Sequence, residues 1–165
     1  MNIGFNFIVN LLKIFAKMMK MKYFDIDWIK GNLSDDEYNK REQEYNKFIN
    51  NLLMKMNIPE RVFANINFND AKLVFFENIN NKLSLKLYIG DLQNGYYQLN
   101  ICFTTKSSCK LEKGEILTSE IDYADNKFYF MFIFSNLKQY EVEFLDIENL
   151  EFHKIEENIY LSALS

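Results

Sequence analysis

The sequence predicts an α+β fold, with N-terminal helical segments packed on a mostly antiparallel β-sheet or sandwich of about six to eight strands. Three observations carry this. Between Asn69 and Phe152 apolar and polar residues alternate in runs separated by short polar turns, the period-2 pattern of strands. Asn80-Asn81, Asn94-Gly95 and Asp125-Asn126 fall between these runs, where tight hairpins need positive φ. Upstream of them the apolar spacing is helical.

The first element in chain order is an amphipathic segment. Phe5, Ile8, Leu12, Phe15 and Met19 recur at helical spacing, with Lys13, Lys17, Lys20 and Lys22 interleaved or following. A secretory signal has its positive charges first, and a membrane-spanning helix needs about 20 apolar residues, so neither fits. The segment is read as an extension over 1–21, as a helix docked on the domain, or as a membrane-surface contact through residues 1–22. The rest, 22–165, is one domain: helical over 22–65, β-rich over 66–155, then a short tail.

Ser34-Asp35-Asp36-Glu37 has the form of a capping box, so a helix is expected to begin there. Tyr38, Arg41, Tyr45, Phe48, Ile49, Leu52 and Met56 mark its inner face, and Ile58-Pro59 is expected to stop it. A short helical turn follows over 60–65. Strands are then expected at Ala71–Asn78, Lys82–Ile89, Tyr96–Thr105, a ragged pair from Lys110 to Tyr123, Lys127–Ser135, Gln139–Asp146, and a last one reaching Lys154. Lys127–Phe134 carries apolar side chains on both faces and is predicted to be central and doubly covered. Lys82–Ile89 and Tyr140–Phe144 alternate and are predicted to have one wet face, with Lys86 on the first and Glu141 and Glu143 on the second.

Composition limits the chemistry. The chain of 165 residues has a formal charge of −4, which disfavours nucleic-acid partners because phosphate neutralisation needs a dense basic patch. Cys102 and Cys109 are spaced wrongly for a redox or zinc pair and point to reduced thiols in a cytoplasm. Abundant Asn, Lys, Ile and Tyr beside 5 Gly and 1 Pro is the signature of an AT-rich bacterial coding sequence. No phosphate loop, dinucleotide loop, nucleophile elbow or zinc-protease helix is present, and His153 is the only histidine. No catalytic residue, cofactor or metal is predicted.

Two stretches bear a resemblance to a known family. Met21-Lys22-Tyr23-Phe24 with Trp28, and Phe68-Asn69-Asp70-Ala71-Lys72-Leu73, resemble the Met-Lys-Tyr-Phe opening and the Leu-His-Asp-Ala motif of a bacterial family of small domains of unknown function from low-GC Gram-positive organisms. Asn69 stands where that family has histidine. The resemblance marks Asn69 and Asp70, with Glu120 on its acidic strand, as candidate functional positions; a backbone-capping turn is the competing role for Asn69-Asp70.

The function expected is that of a non-enzymatic cytoplasmic module that binds a protein partner, in the manner of a toxin-neutralising immunity protein. Tyr88, Tyr96, Tyr97 and Tyr123 are its candidate interface, since tyrosine combines large contact area with a polar end. Two alternatives stand beside it. One is a small-ligand binder or carboxylate-dependent hydrolase, which requires carboxylates such as Asp70 and Glu120 to converge in a cleft between helix and sheet. The other is peripheral membrane attachment through residues 1–22.

Overall fold

The computed structural model describes residues 19–164, so most of the expected amphipathic helix lies outside the described residues. The described chain opens with a non-helical segment, Met19–Phe24, called the strap below, followed by a single helical turn, α1 (Ile26–Ile29). Asp25 caps α1, its carboxylate accepting from the Asp27 and Trp28 backbone N–H groups. The second helix, α2 (Asp35–Leu53), starts where the sequence indicates, with Ser34 Oγ accepting from the Glu37 N–H at 3.3 Å. The other half of the expected capping box does not form. Glu37 instead accepts from Arg41 one turn on, and Arg41 also reaches the Asp25 carboxylate at 3.1 Å, tying α2 to the cap of α1.

Ile49, Leu52 and Met56 are buried along the predicted inner face. Pro59, however, does not mark the stop of α2. That helix ends at Leu53, and Pro59 lies in the first turn of α3 (Ile58–Ala64), where its missing N–H and fixed φ cost nothing.

Seven strands follow: β1 (Lys72–Ile79), β2 (Lys82–Asp91), β3 (Gly95–Thr104), β4 (Gly114–Ala124), β5 (Lys127–Phe134), β6 (Gln139–Phe144) and β7 (Asp146–Ile155); a short helix, α4 (Glu157–Ser162), closes the order. All pairings are antiparallel, in the spatial order β6-β5-β4-β1-β2-β3-β7. The ragged pair expected from Lys110 to Tyr123 is one strand, β4, with a register shift between Ile116 and Thr118. Thr118, Glu120 and Asp122 make it look broken in sequence, yet all three are buried.

One residue, Leu145, separates β6 from β7, which are the two outermost strands of the sheet. The sheet therefore curls until its edges meet at this corner, where the Leu145 N–H donates to the Thr104 carbonyl at 2.8 Å. On the opposite side β4 holds β1 by only two residue pairs, Lys72 with Glu115 and Leu73 with Gly114. Two half-sheets, β4-β5-β6 and β1-β2-β3-β7, thus close on one interior.

That interior is largely aromatic. Phe130, Phe132, Phe134, Phe144 and Phe103 are fully buried, with Leu83, Leu85 and Leu87 from β2 and Leu99 and Ile101 from β3 completing the alternation read in the sequence. Phe63 from α3 is inserted between the halves, its ring 5.5 Å from Phe103 on β3, 5.0 Å from Phe130 on β5 and 6.0 Å from Phe144 on β6. One turn before it, buried Glu60 accepts from the Ile147 N–H at 2.8 Å through Oε1. Its Oε2 has no hydrogen-bond partner among the described residues.

The hairpins obey the turn chemistry. Asn80 and Asn81 have φ of 53° and 62°, and Asp125 and Asn126 have 51° and 60°, the left-handed pair that a two-residue hairpin loop requires. Alanine tolerates this region less well than asparagine, so Asn81→Ala should lower stability by about 1 kcal/mol in urea denaturation. An unchanged midpoint would show that the turn is not held in this geometry.

Candidate functional site

Buried strand β5 has two covers. Its Phe face turns to the aromatic interior; its other face carries buried Tyr129, Met131 and Ile133, and the strap lies over Met131 and Ile133, where Met21 packs on both. Phe24, Ile26 and Ile29 add to this layer. The last three residues of the 1–21 segment are thus packed along the sheet, with Met21 fully buried.

Glu120 holds the strap. Its Oε1 accepts from the Lys22 N–H at 2.7 Å and its Oε2 from the Tyr23 and Phe24 N–H groups at 3.0 and 3.2 Å. Lys22 adds an ion pair to buried Asp122, and Glu141 accepts from the Met19 N–H at 2.6 Å. Burial pushes the Glu120 carboxyl above its ordinary 4.5, against the pull of the three N–H donors and helped by neighbouring Asp122. Glu141 moves the same way, chiefly through burial. The Lys22 ammonium is raised by its hydrogen bond to Asp122.

The expectation that Glu141 and Glu143 line a wet face needs correction. Both are half-buried, and Glu143 is engaged by Lys127 Nζ and Ser107 Oγ at 2.8 Å each. The strap and the loop after β3 use the carboxylates that the sequence presents as a solvated surface.

Asn69 and Asp70 lie in the turn that feeds β1. The Ala71 N–H donates to the Phe68 carbonyl at 3.0 Å, and Asp70 occupies the left-handed position with φ 63°. A turn of this type admits Gly, Asn or Asp there, which accounts for Asp70 without any chemistry. The Asp70 N–H donates to the Ile116 carbonyl and its own carbonyl accepts from Tyr160 Oη at 2.6 Å. Its carboxylate opens onto a shallow cleft shared with Asp91, Tyr96 and Tyr160. Glu120 instead points into the strap-covered face, so the structure does not bring Asp70 and Glu120 together as an acid–base pair.

All four candidate tyrosines are half-buried. Tyr96 stacks on Tyr160 with centroids 4.5 Å apart, and Tyr97 packs against the interior. Tyr123 lies 4.9 Å from Phe128 across its hairpin. These three brace the fold. Tyr88 differs, lying on the outward face of β2 beside an open groove formed with Val74, Gly114 and Ile159.

A further feature, absent from the sequence reading, is a cavity of about 240 Å³ between the strap, α2, α3 and β4, lined by Phe24, Trp28, Glu42, Tyr45, Phe68 and Asn69 among others. The available signal was the aromatic content of Tyr23, Phe24, Trp28, Tyr38 and Tyr45, spread over three segments. Among the described residues no cluster of three or more His, Cys, Asp or Glu is placed to hold a metal ion, and no helix is long and apolar enough to cross a membrane. No family model, curated protein or solved structure matches this chain.

Proposed function

We propose that this chain is a non-enzymatic protein-binding module that receives its partner on the outward face of β1, β2 and β3. The observation that supports this reading is an asymmetry between the two half-sheets. The outward face of β4-β5-β6 is covered by the strap, whereas on that of β1-β2-β3-β7 α4 packs at the end marked by Tyr88 and Tyr96 and leaves Phe75 44% and Ile79 54% exposed on β1. Exposed Glu77 stands between them on the same face, and half-buried Ser84, Lys86, Tyr88, Asn100 and Cys102 lie on the neighbouring strands, a mixed apolar and polar surface of the kind seen in interfaces. An immunity-type role, in which the partner is a toxin, accords with this surface and with the acidic charge of −4.

The test pairs affinity purification from a native host with a surface variant. Phe75→Glu changes an exposed side chain and should leave the fold intact. A protein recovered by the wild-type chain should be lost by Phe75→Glu, and hydrogen exchange of the complex should show protection on β1 and β2. Retention of the partner by the variant, or protection confined to the helices, would contradict the reading.

A further inference from the structure

The cavity between the helices and β4 has a chemical character of its own. Phe24 meets Trp28 and Tyr45 edge-on, with centroids 4.8 Å apart in both pairs and interplanar angles of 69° and 74°. Trp28 is also met by Tyr38 at 4.5 Å, and Tyr45 by Tyr23 at 5.3 Å and Phe48 at 6.4 Å; Phe24, Trp28 and Tyr45 each keep part of their surface toward the cavity. Aromatic faces carry the negative end of the ring quadrupole and attract cations within about 6 Å of the centroid. Among the described residues Glu42 is the only charged one lining the cavity, and no lysine or arginine does so. Its carboxylate has no ion pair or hydrogen bond among the described residues. Tyr45 is held in place from behind, its Oη accepting from the Ile121 N–H at 3.0 Å, and burial raises its pKa so that the hydroxyl stays neutral.

We infer that this cavity is a binding site for a small organic cation of the quaternary-ammonium class, with Phe24, Trp28 and Tyr45 as its aromatic wall and Glu42 as its counter-ion. Several features select that class. The volume of about 240 Å³ lies below the roughly 300–1,000 Å³ of pockets for drug-sized ligands, so the occupant is compact. A quaternary ammonium has no N–H to satisfy and is held by ring faces and a counter-charge, while Asn67, Asn69, Thr118 and Ser119 form the polar part of the lining. A metal ion would need several oxygen ligands, and among the described residues Glu42 is the only carboxylate in the lining. The site shares no residue with the sheet face assigned to a protein partner, so either assignment can fail without the other.

Trp28 is the only tryptophan in the chain, so its fluorescence reports on this wall alone. The experiment titrates the full chain with tetramethylammonium chloride, followed by Trp28 emission and by calorimetry, against sodium chloride and the neutral near-isostere tert-butanol. Saturable binding of tetramethylammonium is expected, with no saturable response to either control. Glu42→Gln, an exposed substitution, should weaken it about three- to tenfold while leaving the urea midpoint unchanged. Absence of saturable binding, equal binding of tert-butanol, or an unaltered affinity in Glu42→Gln would each overturn the assignment. So would binding of a trimethyl-lysine peptide without binding of free tetramethylammonium, which would give the cavity to a protein ligand.

Discussion

Phe63→Ala is expected to destabilise the fold by about 3–5 kcal/mol, among the largest effects a single core substitution produces. Phe63 is the side chain that bridges the two half-sheets through α3, touching Phe68, Phe103, Phe130 and Phe144. Alanine would lose the ring's burial and also leave a void walled by rings from three strands and the β1 turn. Those strands are tied to one another by paired registers and by the Leu145 corner, so they cannot collapse freely into the space. The measurement is a urea denaturation midpoint at unchanged m-value. Phe63→Leu should retain much of the lost stability, and a cost under about 1 kcal/mol for alanine would show that the interior does not depend on this ring.

Glu120→Ala is expected to cost about 3 kcal/mol, because it leaves three backbone N–H groups facing an empty position under the strap. Detachment of the strap limits the loss, since water can then solvate those amides while Met21 gives up its contacts. Hydrogen exchange should accordingly accelerate at Lys22, Tyr23 and Phe24 more than in β2 or β3. Uniform acceleration throughout the chain would argue against a local clamp.

The same carboxylate predicts a pH dependence with a definite sign. Glu120 and Glu141 have folded-state pKa values above 4.5, so the folded chain holds more protons than the unfolded one in the window just above 4.5. Stability from this source is greatest below that window and falls as pH rises through it. Asp91, Glu112 and Glu148 are held below their ordinary values by hydrogen bonds, and their contribution is lost as pH falls through the acidic range beneath. Wild-type stability should therefore be higher near about pH 5 than near about pH 8, and Glu120→Gln should shrink the difference. An undiminished difference in Glu120→Gln would place its origin elsewhere.

What was legible in the sequence follows from how local each cause is. Leu83, Leu85 and Leu87 declare their face by period 2 alone, and Asn80-Asn81 declares its turn by the φ values asparagine tolerates. The apolar residues of β5 on both faces required two covers, and two are present. The identity of the second cover was not legible. Glu120 meets its partners through backbone amides, which leave no trace in side-chain pattern, and they lie 96 to 98 residues away. For the same reason Glu141 read as a charge on a wet face. Pro59 misled because a proline that opens one helix and one that ends another look alike when only two residues separate the expected end of α2 from it. At the candidate site, the turn role of Asp70 was legible from residue type, whereas the cavity beside Glu42 was not, being assembled from the strap, three helices and β4 among others.

The strap also has a history in time. It leaves the ribosome before any of the strand surface that will cover it: Met19 precedes Glu141 by 122 residues and Lys22 precedes Glu120 by 98. At synthesis rates of about 5–20 residues per second, Met21 stays without its pocket for several seconds at least. Because β5 and β6 emerge late, the strap can close only after most of the described chain has been made, and during that interval Met21 and the strap's backbone amides are the groups open to unintended contacts.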